Sequence, residues 1–213
     1  MGSTLELRQS YRAEWQRILE HPFVSLLHSN KISLDSQLEW ALRQYHYLEA
    51  WAYLRSALVP RAPQPHRLFI AQLLIFTVEE LDWLSQLELP TDRPPHPVIH
   101  EYHQYLQELE LLSYPEILII HWLLQKVFMD AWLSAQPEQG PLAEFYTLWS
   151  APEYRGLLHD LNELTEMALG RVDLSRLDPW ILRGLHLEEA FWGTGLELIR
   201  GEGGLGPSAA PDP

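Results

Sequence analysis

The 213-residue chain has no cysteine and only two lysines, Lys31 and Lys126. It also has no apolar run long enough to cross a bilayer. Without Cys there is no disulfide, no thiolate metal site and no cysteine nucleophile. A formal net charge of −14, with no basic cluster in the sequence to offset it, opposes binding to nucleic-acid phosphates. The longest apolar run, Ile117 to Leu124, is interrupted by His121 and falls well short of the ~20 residues a membrane helix needs. The opening residues, MGSTLELRQSYRAEW, are charged and amphipathic, unlike a secretory leader. Gly-rich phosphate loops, serine-nucleophile motifs and haem-attachment motifs are missing too. These absences predict a cytoplasmic protein that binds neither nucleic acid nor membrane.

Metal chemistry has equally little to build on. The chain contains no Glu-x-x-His, the helical ligand pair of di-iron bundles. His96, His100 and His103 share a helical face but have no carboxylate at ligand spacing, so they read as an exposed polar surface. Glu79, Glu80 and Asp82 read as the solvated end of a helix. We expect no metal site.

What remains is helix. Strand-like alternation is absent, and apolar residues recur at helical spacing between proline-marked breaks. The pattern predicts helices over about 4–20, 23–28, 34–58, 66–88, 98–112, 114–135, 142–149, 152–170 and 178–200. Ser33 is the expected N-cap of the third, and Asp178-Pro179 the expected start of the last. The fold class is therefore all-α, a single helical domain over residues 1–200. The segment 201–213, GEGGLGPSAAPDP, is too poor in hydrophobics to pack and is expected to be disordered.

Two positions carry chemistry. The long helix 34–58 is apolar on two adjoining faces and so is expected to pack on several sides. One face aligns Trp40, Gln44, Tyr47, Trp51 and Leu58, setting a lone amide among aromatics. Gln44 is then either a satisfied core amide or the reader of a flat polar ligand. In the last helix Glu188 falls at the centre of the apolar stripe Ile181, Leu185, Phe191, Trp192, Gly195 and Ile199. A carboxyl in apolar surroundings is driven to hold its proton, which suits acid–base work. The alternative is a structural carboxylate tied to an arginine or a tyrosine hydroxyl.

Glu14-Trp15, His-Pro-Phe-Val at residues 21–24, Tyr47-Leu48 in the long helix and Glu-Glu-Ala-Phe-Trp-Gly at residues 188–193 occur in one order along the chain. Together they resemble the TenA/THI-4 (thiaminase II, aminopyrimidine aminohydrolase) family. The resemblance implies a haem-oxygenase-like helical bundle that self-associates as a homodimer or homotetramer. It also implies hydrolysis of small aminopyrimidine compounds in thiamine salvage, without cofactor.

Carried over by position, Glu188 matches the family's catalytic glutamate and Tyr47 its long-helix tyrosine. Gln44 falls where the family has an aspartate, and Leu124 where it has the nucleophilic cysteine. Phe128 and Trp149 replace two tyrosines, and a further tyrosine falls at Tyr102 or His103. His121, one turn before Leu124, joins the expected ligand-binding set of Gln44, Tyr47, Leu124, Phe128 and Trp149.

Loss of both the Asp and the Cys leaves two functional readings. One is hydrolysis of an aminopyrimidine or related heteroaromatic by a Glu188-activated water. The other is a non-catalytic relative that binds a small aromatic ligand or a protein partner. An open cavity beside Glu188 favours the first; a space filled by Leu124, Phe128 and Trp149 favours the second.

Overall fold

Proline and capping side chains set where the helices begin. A computed structural model describes residues 2–29 and 31–199; Arg200 and the predicted tail 201–213 lie outside them. Among the described residues there are ten α-helices and no strand: α1 Thr4–Ser10, α2 Arg12–Leu19, α3 Pro22–His28, α4 Leu34–Arg61, α5 Gln64–Ser85, α6 Pro97–Glu108, α7 Tyr114–Ala135, α8 Pro141–Trp149, α9 Pro152–Leu169 and α10 Asp178–Ile199. Pro occupies the first turn of α3, α5, α6, α7, α8 and α9, where its missing N–H costs nothing. Ser33 caps α4 by accepting from the Ser36 amide at 3.2 Å. Two His-Pro pairs work alike. The His21 ring accepts from the Phe23 amide at 3.2 Å, and the His96 ring from the Val98 amide at 3.3 Å. The His-Pro-Phe-Val motif is thus a helix start.

One continuous core runs through the bundle, with α4 packed against α5, α6, α8 and α10. The multi-sided packing expected of the long helix is borne out. Helix α10 approaches its neighbours closely at two of its three glycines. A Cβ at Gly195 would lie 2.5 Å from the Phe23 ring, and one at Gly184 2.5 Å from the Tyr105 hydroxyl. Those approaches seat α10 on α3 and α6 and fix where Glu188 points.

Several boundaries differ from the sequence reading. The expected first helix breaks at Tyr11, whose backbone leaves the helical region (φ −110°, ψ 28°). Its two halves are anchored to different helices, Thr4 to Glu166 of α9 and the Tyr11 hydroxyl to Asp178 of α10. Helix α4 runs past Pro60 to Arg61, whose guanidinium binds the carbonyls of Glu110 and Leu112. Helix α6 stops at Glu108, and Leu109–Leu111 tighten into a 3-10 turn. The apolar run at 117–124 belongs to α7, which by length and composition alone could cross a membrane. In the fold 78% of that stretch is buried inside the bundle, where α7 serves as a core helix.

Candidate functional site

Helices α4, α6, α7 and α10 bring the Glu188 carboxyl to the middle of the core. Tyr47 on α4 donates to Glu188 Oε2 at 3.2 Å, and Tyr102 on α6 donates to the same oxygen at 2.9 Å. Trp192, one turn beyond Glu188, donates its indole N–H to Oε1 at 3.2 Å. All four side chains are fully buried. Burial pushes the Glu188 pKa up to about 8, against the three hydrogen bonds, which favour the charged form. Burial likewise holds the Tyr47 and Tyr102 hydroxyls well above their ordinary values, with the nearby carboxyl adding to the shift. The carboxyl therefore holds or releases a proton near neutrality while its tyrosines remain donors.

Aromatic rings fill the space around this group. Tyr47 stacks between Phe191 and Phe128, with centroids 4.4 Å and 5.3 Å away. Trp149 meets Phe128 edge-on at 4.6 Å. Gln44, three residues before Tyr47, is completely buried, and neither amide atom has a hydrogen-bond partner among the described residues. Leu124 is buried where α7 meets α10, near Gly184. None of four concavities on the molecule borders Gln44, Tyr47 or Glu188. The space is filled, the arrangement that the sequence reading associates with binding without turnover.

His121 belongs to a different cluster. Its Nε2 accepts from Arg55 at 3.4 Å, and its ring stacks on Trp51 at 5.0 Å. The Arg55 guanidinium, also buried, reaches Thr77, the Leu73 carbonyl and, at 2.8 Å, Gln125 Oε1. Tyr154 donates to that same Gln125 oxygen at 2.8 Å. Glu80 approaches this group electrostatically, yet both its oxygens are buried without a hydrogen bond among the described residues. Burial raises its pKa well above the carboxylate range, opposed by the Arg55 charge. The sequence reading of Glu80 as a solvated helix end is therefore overturned. Helix α5 turns Glu79 and Asp82 outward, and Glu80, at the register of Leu73, Thr77 and Leu84, inward.

Some of these residues were within reach of sequence reasoning. Trp192 is one helical turn from Glu188, and Arg55 continues the stripe of Gln44, Tyr47 and Trp51 by one turn. At the 102/103 position the structure selects Tyr102; His103 lies outside, edge-on to Tyr53 at 5.7 Å. His96 pairs with Glu197 at 2.9 Å, and among the described residues no group of three His, Asp or Glu is placed to hold a metal.

Residues 8–111 match the sequence pattern of the TENA/THI-4/PQQC family. The chain belongs to that family. The matched span contains Gln44, Tyr47 and Tyr102 and ends before α7, so for the second half the likeness rests on fold. A TenA homologue from Pyrococcus furiosus superposes with a TM-score of 0.83 at 19% identity, over 90% of this chain and 98% of that one. A Silicibacter protein described as a TenA family transcription regulator gives 0.79 at 15% identity, over 92% and 97%. A Sulfolobus solfataricus protein described as a TenA-like thiaminase gives 0.76 at 12%, over 97% and 100%. The fold of this TENA/THI-4/PQQC chain is thus the all-helical, haem-oxygenase-like bundle expected from the sequence. Comparison with curated proteins produced no match.

Proposed function

We propose that this chain is a TenA-type protein of thiamine-related metabolism that captures a flat, amino-substituted heteroaromatic ring between Gln44 and Glu188. The observation that carries this reading is the Gln44 amide, completely buried with both polar atoms unpartnered. Each orphaned group costs roughly 1–3 kcal/mol, a cost that a structural core would shed by substitution to leucine. An aminopyrimidine edge sets a ring-nitrogen acceptor beside an amino donor, and a primary amide meets both at once. The Glu188 carboxyl, bonded to Tyr47 one turn along α4 from Gln44 and titrating at about 8, donates a hydrogen bond to the ring when protonated and accepts one from its amine when ionised. Family membership and the likeness to a TenA-like thiaminase support the ligand class.

Capture is preferred to turnover because Glu188 is completely buried, with no face open to solvent. Both its oxygens already accept hydrogen bonds, and its surroundings are filled. The family's thiol position holds Leu124, which cannot attack carbon. Binding therefore requires the aromatic packing of Phe128 and Trp149 to open. Hydrolysis is the second reading, favoured by the pKa of about 8. In it Glu188 takes a proton from water, the water oxygen bonds to the carbon that bears the leaving amine, and that C–N bond breaks as the amine leaves with the proton. Self-association as a homodimer or homotetramer is proposed through the outer face of α5, where Leu68, Ile75 and Val78 are exposed.

The test is titration of the purified protein with an aminomethyl-substituted aminopyrimidine, followed by tryptophan fluorescence and ammonia release. Saturable fluorescence change that Gln44→Leu removes, with ammonia at background level, is expected. Ammonia release abolished by Glu188→Gln would establish the hydrolase instead, and absence of binding would overturn both readings.

A further inference from the structure

The break at Tyr11 leaves a concavity of about 340 Å³ along α1 and α2, bordered by Leu5, Arg8, Gln9, Arg12, Trp15 and Gln16. Its polar lining is dominated by donors. Arg8 lies over the Trp15 ring, 5.0 Å from its centroid, and its Nη2 is 3.4 Å from Asp130 Oδ2. That carboxylate is shared with Lys126. Arg12 is exposed and has no hydrogen-bond or ion-pair partner among the described residues. Trp15 is only 2% exposed, and its indole N–H is buried without a partner among the described residues. Gln16 donates to Glu20 at 2.6 Å, so that carboxylate is already engaged.

Arg8 and Arg12 both border the concavity, and one carboxylate shared between Arg8 and Lys126 does not balance three cations. The sequence offers no basic run here, because the cations come from α1, α2 and α7. We propose that this concavity is a binding site for a phosphate-bearing small molecule, separate from the Glu188 site. Guanidinium forks match phosphate oxygens bidentately, and the exposed Arg12 is free to turn its fork toward one. A volume of about 340 Å³ leaves room for an organic group beyond the phosphate.

Isothermal titration of the full chain at low ionic strength tests this with inorganic phosphate, pyrophosphate and adenosine monophosphate as probes. Pyrophosphate is expected to bind saturably, at least about tenfold more weakly to Arg12→Ala, with partial recovery in Arg12→Lys. Arg155→Ala, which removes an exposed arginine elsewhere that has no ion-pair partner among the described residues, should leave the isotherm unchanged. Adenosine monophosphate binding more tightly than inorganic phosphate would assign an organic phosphate; the reverse order would assign the free anion. Arg12 is exposed, so its variants fold whatever happens to Arg8 variants, which disturb Trp15. Absence of saturable binding, or equal affinity in wild type and Arg12→Ala, overturns the proposal.

Discussion

The Tyr47 hydroxyl donates to the Glu188 carboxyl across 3.2 Å, although 141 residues separate them in the chain. The contact ties α4 to α10 at the centre of the core, where a carboxyl is costly unless it keeps its proton. Its proton affinity is therefore a stability property as well as a chemical one.

Glu188 titrates at about 8 in the fold against an ordinary 4.5. A raised folded pKa contributes stability that is complete below the unfolded value and lost as pH rises through the folded one. Histidines with lowered pKa, His121 above all, act in the opposite direction on the acid side. The clean window is thus pH 7 to 8. There the unfolding free energy should fall by up to about 1.4 kcal/mol per pH unit from Glu188, with Glu80 adding in the same sense. Urea unfolding at several pH values should show a shallower slope for Glu188→Gln, shallower still with Glu80→Gln added. A Glu188→Gln slope equal to wild type would mean that the carboxyl is already ionised in the fold.

Gln44→Leu should raise the unfolding free energy by about 1–3 kcal/mol, since an orphaned buried amide is replaced by a side chain of similar volume. The same change should remove aminopyrimidine binding. Destabilisation would show that the amide has a partner after all.

Arg55 and Glu80 should respond with opposite signs. Arg55→Met removes the charged donor to Thr77, Leu73 and Gln125 and is expected to cost roughly 1.5–3 kcal/mol. Glu80→Leu deletes two unpartnered oxygens and is expected to stabilise. Denaturant midpoints of the two variants decide the matter. Loss of stability in Glu80→Leu would assign the carboxyl a structural bond to Arg55.

Gly195→Ala places a methyl 2.5 Å from the Phe23 ring. Overpacking of this kind costs about 1–3 kcal/mol, more than the roughly 1 kcal/mol that alanine gains over glycine in a helix. A lower melting temperature, recovered by Phe23→Leu, is expected. An unchanged melting temperature would show that α3 yields without cost.

The sequence by itself determined the helical class and most helix starts, because proline position, capping residues and helical spacing act within a turn or two of the chain. It determined that Gln44 and Tyr47 share a face, since i and i+3 always do, and that Glu188 lies in an apolar stripe. Only the tertiary structure decided what those residues meet. Tyr102 was separated from His103, Glu80 was turned inward, and His121 was assigned to Arg55, because these outcomes depend on how one helix is rotated against another. The break at Tyr11 is of the same kind. Local propensity favours a continuous helix, but anchors on α9 and α10 pull its two halves onto different lines. Whether the space beside Glu188 is open or filled depends on side chains from α4, α7, α8 and α10 packing together, and no local rule along the chain encodes that.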